Sequence, residues 1–123
     1  MTETVLTWRR FGKLTDARDA FARIPCIYVQ TDTQGRPLRV GKASKGLEAR
    51  YRGGTGYAMD AAMHNSGNPI FVAEVIDGSC EAVERELIWR ERQILQYNNQ
   101  GKVKPPSKRV EIQHKGDHPK FSI

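Results

Sequence analysis

Glu84, Glu91 and Asn98 stand seven residues apart in a segment whose apolar residues Val83, Leu87, Ile88, Ile94 and Leu95 repeat with a helical period. At about 100° per residue these three polar side chains fall inside the apolar stripe, whereas Arg85, Glu86, Arg90, Arg92, Gln93 and Gln96 fall outside it. A carboxylate on a buried face is costly unless a cation, a metal ion or a cleft neutralises it. Glu84 is therefore a candidate reacting or metal-binding group. Glu91 is expected to make a structural ion pair with a strand Arg or Lys. A second concentration of chemistry lies upstream, where Tyr28, Gln30, Arg39 and Gly41 would share one face of a hairpin and present an aromatic hydroxyl on a polar surface.

Positive charge is clustered rather than scattered. Arg36, Arg39, Lys42, Lys45, Arg50 and Arg52 face only Glu48 in their stretch, while residues 53–100 hold three basic and seven acidic side chains. Residues 101–123 carry six basic and two acidic groups, and the 123-residue chain has a net charge of +6. Clustered Lys and Arg form the electrostatic footprint of a polyphosphate partner, because neutralising phosphates releases condensed counterions. A solubility-favouring surface is the plain alternative.

The length implies one domain with a core of its own. With 38% hydrophobic and 28% charged residues the chain is globular in composition, and no apolar run approaches the roughly 20 residues a membrane helix needs. The N-terminus mixes Glu3 with Arg9 and Arg10 and has no apolar core of a secretory signal, so a cytoplasmic location is expected. Cys26 and Cys80 read as reduced thiols, and His64, His114 and His118 do not join them in a zinc-like spacing.

The elements that must position these groups follow from periodicity and breakers. Thr15 to Ile24 reads as a short helix stopped by Pro25. Cys26 to Thr31 and Pro37 to Lys42 read as a hairpin around the turn residues 32–36, with Ile27, Val29, Leu38 and Val40 on its apolar face. Ser44 to Arg52 fits a helix, broken by Gly53, Gly54 and Gly56 before a weaker helical segment from Tyr57 to His64. Ile70 to Ile76 is apolar almost throughout, as a central strand would be. Ser79 is placed to cap a long helix reaching about Asn98. Beyond Gly101 the composition describes a basic, extended segment, with Val110 to Gln113 as an edge strand.

Three stretches, Pro25-Cys26-Ile27-Tyr28, Leu38-Arg39-Val40-Gly41-Lys42-Ala43 and Gly46-Leu47-Glu48-Ala49-Arg50, together with Glu84, Leu87-Ile88 and Asn98 or Asn99, resemble the GIY-YIG nuclease family. The likeness is greatest to the nuclease domain of the nucleotide-excision-repair incision subunit and spans residues 24–99. It implies an α/β (α+β) fold with a small, mainly antiparallel three-stranded central sheet flanked by helices. It divides the chain into an N-terminal extension with an accessory helix (1–24), a nuclease-like core (25–100) and a basic C-terminal extension (101–123).

The resemblance also implies a metal-dependent endonuclease that hydrolyses phosphodiester bonds in DNA. Tyr28 would orient or deprotonate water, Arg50 would bind the scissile phosphate, Glu84 would hold one Mg²⁺ or Mn²⁺ ion, and Lys42 would act on the Tyr28 hydroxyl. Arg39, Lys45, Arg52 and Asn98 would bind the nucleic acid. Because an ordinary phenol titrates near 10, such a base requires an adjacent cation, Lys42 or Arg39. Cys26 replaces the family's first Gly, Arg39 replaces its second Tyr, and Gly54 stands where a His or Tyr follows the Arg, with Tyr51 or Tyr57 as substitutes. A fold that has lost cleavage and acts as a nucleic-acid-binding or regulatory module is the alternative.

Overall fold

A computed structural model describes residues 2–51, 67–76, 78–98 and 101–122. Arg52, Gly53, Gly54, Gly56, the Tyr57 to His64 segment and Asn99 lie outside the described residues. Those described form five strands, β1 (Thr2–Phe11), β2 (Cys26–Thr31), β3 (Pro37–Ala43), β4 (Ile70–Glu74) and β5 (Val110–Gly116), and three helices, α1 (Leu14–Ala20), α2 (Leu47–Tyr51) and α3 (Cys80–Arg90).

The α+β class agrees with expectation, but the sheet is larger than three strands and is mixed. Its order is β3-β2-β4-β1-β5. β2 pairs antiparallel with β3 and β4, β4 pairs antiparallel with β1, and β1 pairs parallel with β5. The two outer segments read as extensions thus each supply a strand to the same sheet. β1 is not among the strands expected from the sequence, although its Thr4, Leu6 and Trp8 are buried in alternation with the exposed Glu3, Val5 and Arg9. β4 is central, as its apolar run implied, and among the described residues no helix is long and apolar enough to cross a membrane.

The sheet separates two apolar clusters. On one side, α3 packs through Val83 and Leu87 onto Ile27, Val29, Val40, Leu6 and Trp8. On the other, α1 and α2 cover Cys26, Tyr28, Ala43, Ile70 and Val72 with Ala17, Phe21, Leu47 and Tyr51. All six residues of β2 are buried. The Tyr28 face of the hairpin is therefore a second core rather than the polar surface expected, because helices after both β1 and β3 return to that side. Cys26 and Cys80 are buried and form no disulfide, and burial pushes the Cys26 thiol up to about 12, which removes it as a nucleophile.

α3 ends at Arg90, well short of Asn98, with Glu91 at its C-cap. The helical spacing of Glu84, Glu91 and Asn98 therefore holds only for the first pair. Glu91 is buried, as expected for a structural role, but its carboxylate accepts hydrogen bonds from the Ser122 amide and hydroxyl instead of facing a strand cation. The ion pair forms at Glu86, which the helical wheel placed on the polar side. Fully buried at 0% exposure, its carboxylate accepts from Arg109 Nε (2.8 Å) and Nη2 (2.9 Å), Arg90 Nε (3.0 Å) and the Val110 amide (3.0 Å). This bidentate, charge-assisted arrangement ties α3 to the start of β5.

Trp8 Nε1 donates to His114 Nδ1 at 2.9 Å, and Phe121 stacks on the His114 ring with centroids 4.3 Å apart. Trp8 and Phe121 are thus packing residues. Burial, joined by the charges of His118 and Arg90, pushes His114 down to about 4.

Two acid windows follow. Glu86 is held down to about 2 from 4.5 by the Arg109, Val110 and Arg90 hydrogen bonds, which outweigh its burial, so its stabilisation is complete above pH 4.5 and is lost as pH falls toward 2. His114, favoured neutral, contributes stability that is complete above 6.5 and is lost as pH falls toward about 4. Urea denaturation across pH should show both losses, with His114→Gln flattening the upper one alone. Glu86→Gln should destabilise the fold at neutral pH by about 2 kcal/mol, because it replaces charge-assisted hydrogen bonds by neutral ones while Arg109 and Arg90 keep access to water.

Candidate functional site

β3 is an edge strand, and its alternation distributes the candidate residues over the two faces of the sheet. Val40 lies in the α3-facing cluster and Ala43 in the opposite one. Lys42 therefore rises on the α3 side, whereas Arg39 and Gly41 belong to the side of Tyr28.

On the Tyr28 side the register pairs Tyr28 with Gly41 and Gln30 with Arg39. The phenol lies flat against the Gly41 backbone, where an added Cβ would stand 2.3 Å from Tyr28 Cζ and 2.4 Å from its oxygen. Only glycine permits that approach. The Tyr28 oxygen accepts hydrogen bonds from Arg50 Nε at 2.8 Å and Arg39 Nη1 at 3.0 Å. Both guanidinium carbons sit 5.7 Å from the Tyr28 ring centre, and Arg50 also lies 4.9 Å from that of Tyr51. Of the two cations expected beside the phenol, Arg39 is there and Lys42 is not, because strand alternation sends Lys42 to the α3 side; Arg50, expected on a phosphate, takes the second place. Tyr51, named as a substitute aromatic, packs its ring 5.8 Å from that of Tyr28. Tyr28, 1% exposed, and Tyr51 are buried, and Arg39 and Arg50 are half-buried around them.

On the α3 side, Lys42, Glu81, Glu84, Arg85 and Ile88 line one wall of a groove of about 840 Å³, and residues 101–107 supply the other through Val103, Lys104, Pro105 and Pro106. Lys42 Nζ is 3.9 Å from Glu81 Oε1, which also accepts from Arg85 at 2.8 Å. Burial pushes the Glu84 carboxyl up, opposed by the positive charges of Lys42 and Arg39 and by the Lys42 amide. Arg39 thus acts on both sides, donating to the Tyr28 hydroxyl and lowering Glu84 through its charge around the edge of β3.

Of the residues singled out from sequence, the fold groups Tyr28, Arg39 and Arg50 on one side of the β3 edge and Lys42 and Glu84 on the other. Lys45 stands apart, exposed beside Arg18, Arg23 and Glu48 in a groove between α1 and α2. Asn98 is occupied structurally: its Oδ1 accepts from the Val40 amide at 2.8 Å and its Nδ2 donates to the Val40 carbonyl at 3.0 Å. With the Tyr97 amide donating to the Leu38 carbonyl at 3.1 Å, it closes the outer edge of β3. The nucleic-acid contact expected of Asn98 gives way to this clamp, because α3 ends early and the chain returns along β3. Glu81 is the site residue that sequence reasoning missed. Its signal was the i, i+3 relation to Glu84, which puts both carboxylates on one side of the helix.

Among the described residues, no group of three or more His, Cys, Asp or Glu converges as a ready-made metal cage. Glu81 and Glu84 line the same groove, two carboxylates beside Lys42. Comparison of the chain with protein-family models, with curated proteins and with solved structures returns no match.

The Tyr28–Gly41 contact generates a local test. Gly41→Ala should push the phenol off β3 and cost about 1–3 kcal/mol, read by urea denaturation. The Tyr28 ring resonances should shift in NMR spectra, whereas Gly12→Ala, at a position with open space around it, should leave them in place.

Proposed function

We propose that this chain is a metal-dependent nuclease of the GIY-YIG kind that hydrolyses phosphodiester bonds in DNA, with β3, β2 and β4 as its core and β1 and β5 as additions. The observation that carries the reading is the convergence of Arg39 and Arg50 on the Tyr28 hydroxyl, at a sheet edge whose other side carries Lys42 and Glu84. Such hydrolysis needs a positioned water, relief of charge on the phosphoryl oxygens and stabilisation of the leaving oxygen.

In this mechanism Arg50 and Arg39, which hold the phenol when no phosphate is present, turn their outer nitrogens to the phosphate oxygens. That move frees a lone pair on Tyr28 Oη to accept a hydrogen bond from the attacking water and orient it, the water's proton passing to a phosphate oxygen or to solvent as the new P–O bond forms and the bond to the leaving oxygen breaks. Arg39 does the work of the aromatic residue it replaces, as a donor rather than as a hydroxyl. Lys42 balances the carboxylates of Glu81 and Glu84. These two acids are the residues that would hold a Mg²⁺ or Mn²⁺ ion, and the ion when bound supplies charge relief on the phosphoryl and leaving oxygens. Burial works against an isolated charge on Glu84, so a cation in the groove is the partner that its environment favours.

Enclosure of Tyr28 and the replacement of the family's second Tyr by Arg39 favour a second reading, a module that binds nucleic acid without cutting it. Labelled single-stranded and duplex DNA, incubated with the purified chain and Mg²⁺, Mn²⁺ or EDTA, separates the two. Nuclease action predicts metal-dependent cutting that falls about 10²–10³-fold in Arg50→Ala, on the scale of removing one preorganised donor, and is abolished in Glu84→Gln with thermal unfolding unchanged. Uncut DNA in every lane, with binding that weakens steeply as salt rises, would establish the binding module instead.

A further inference from the structure

The two edges of the sheet are finished differently. The β3 edge is closed by Tyr97 and Asn98. At the β5 edge, Glu86 and Arg90 take the Val110 amide and carbonyl, and the Gly116 carbonyl accepts from the His118 amide. The N–H and C=O of one strand residue point the same way, and those of its neighbours point the opposite way. Val110 and Gly116 therefore mark the outward residues of β5, and Ile112 and His114 lie between them with the same outward direction. Asp117, of the opposite parity, donates inward to the Trp8 carbonyl. Among the described residues, nothing accepts from or donates to the main chain of Ile112 or His114 on that outer edge.

We propose that a second copy of this chain occupies the β5 edge, pairing β5 antiparallel with β5 about a two-fold axis through Gln113. Register and charge select this partner. Centred on Gln113, Ile112 of each copy meets His114 of the other, so that the two residues with open groups form the hydrogen-bonded pairs. Glu111 then faces Lys115 of the second copy, twice, at the closer non-hydrogen-bonded positions, where opposite charges stabilise and like charges destabilise. A two-residue slip loses this match. Centring on Ile112 sets His114 against Val110, whose groups are already taken, and centring on His114 sets Glu111 against Asp117. Glu111, Gln113 and Lys115 are all exposed and free to meet across the axis. The pairing continues the five-stranded sheet across two copies and buries an edge that would otherwise invite unspecific strand addition. It is independent of the nuclease reading.

Sedimentation equilibrium of the full chain over a dilution series at physiological salt tests it. The expected mass rises from 13.9 kDa toward twice that value with concentration. Glu111→Lys alone places Lys against Lys, and Lys115→Glu alone places Glu against Glu, so each should weaken association about tenfold or more. An equimolar mixture of these two variants restores both opposite-charge pairs and should associate as the wild type does, which a misfolded variant could not achieve. Gln113→Cys should join to its symmetry mate as a disulfide-linked dimer under mild oxidation, because directly opposed strand residues have the Cβ separation a disulfide needs. A chain that stays at monomer mass throughout the series would overturn the proposal. So would a dimer indifferent to the charge reversals, or one in which Gln113→Cys fails to cross-link.

Discussion

The buried carboxylate of Glu86 sets the rotation of α3. Held by Arg109, Arg90 and the Val110 amide, it turns one side of the helix toward β5. Glu84 precedes it by two residues, or about 200° around the helix axis, and is thereby directed to the opposite side, toward β3 and Lys42. One ionic anchor thus decides both where the C-terminal strand joins the sheet and where the candidate metal-binding acid emerges. The arrangement is costly to break from the arginine side, because losing those cations would leave a carboxylate of 0% exposure uncompensated.

The sheet edge at β3 has a corresponding role for the remaining site residues. A central strand would keep its two faces apart, with Tyr28 and Glu84 in separate cores. At an edge a long side chain can act around the rim, and Arg39 does so, bonded to the phenol and exerting its charge on Glu84. Closure of that edge by Tyr97 and Asn98 holds β3 in line with β2 and keeps Gly41 beneath the Tyr28 ring. The clamp and the glycine are positioning devices. Their loss would move the phenol without removing any of the groups that touch its hydroxyl.

Several elements were legible in the residues themselves. The hairpin, the central strand and the start of α3 follow from alternation, a continuous apolar run and a serine ahead of a helical period. The strand in the basic C-terminal segment also carried its own signal. At the site, Tyr28 and Arg39 share a strand parity, and Glu84 sits where a charge should not. These are local signals, set within a few residues by side-chain direction and backbone preference.

What required tertiary structure was every relation between distant segments. The parallel pairing of β1 with β5 joins residues more than a hundred positions apart, and no periodicity announces it. It enlarged the expected three-stranded sheet to five and converted the two flanking segments into parts of one fold. The partner of Glu86 lies on β5, so a helical wheel, which knows only angles around its own axis, assigned that buried acid to solvent. The same limit misdirected Asn98, since a period extrapolated beyond Arg90 describes a helix that the chain has already left, while Glu91 is buried where the period put it and only its partner, Ser122, comes from a distant segment. Residue type and local period determined which groups could do chemistry; the packing of strands from opposite ends of the chain decided which of them meet, because burial and ion pairing belong to the assembled neighbours and not to any one segment.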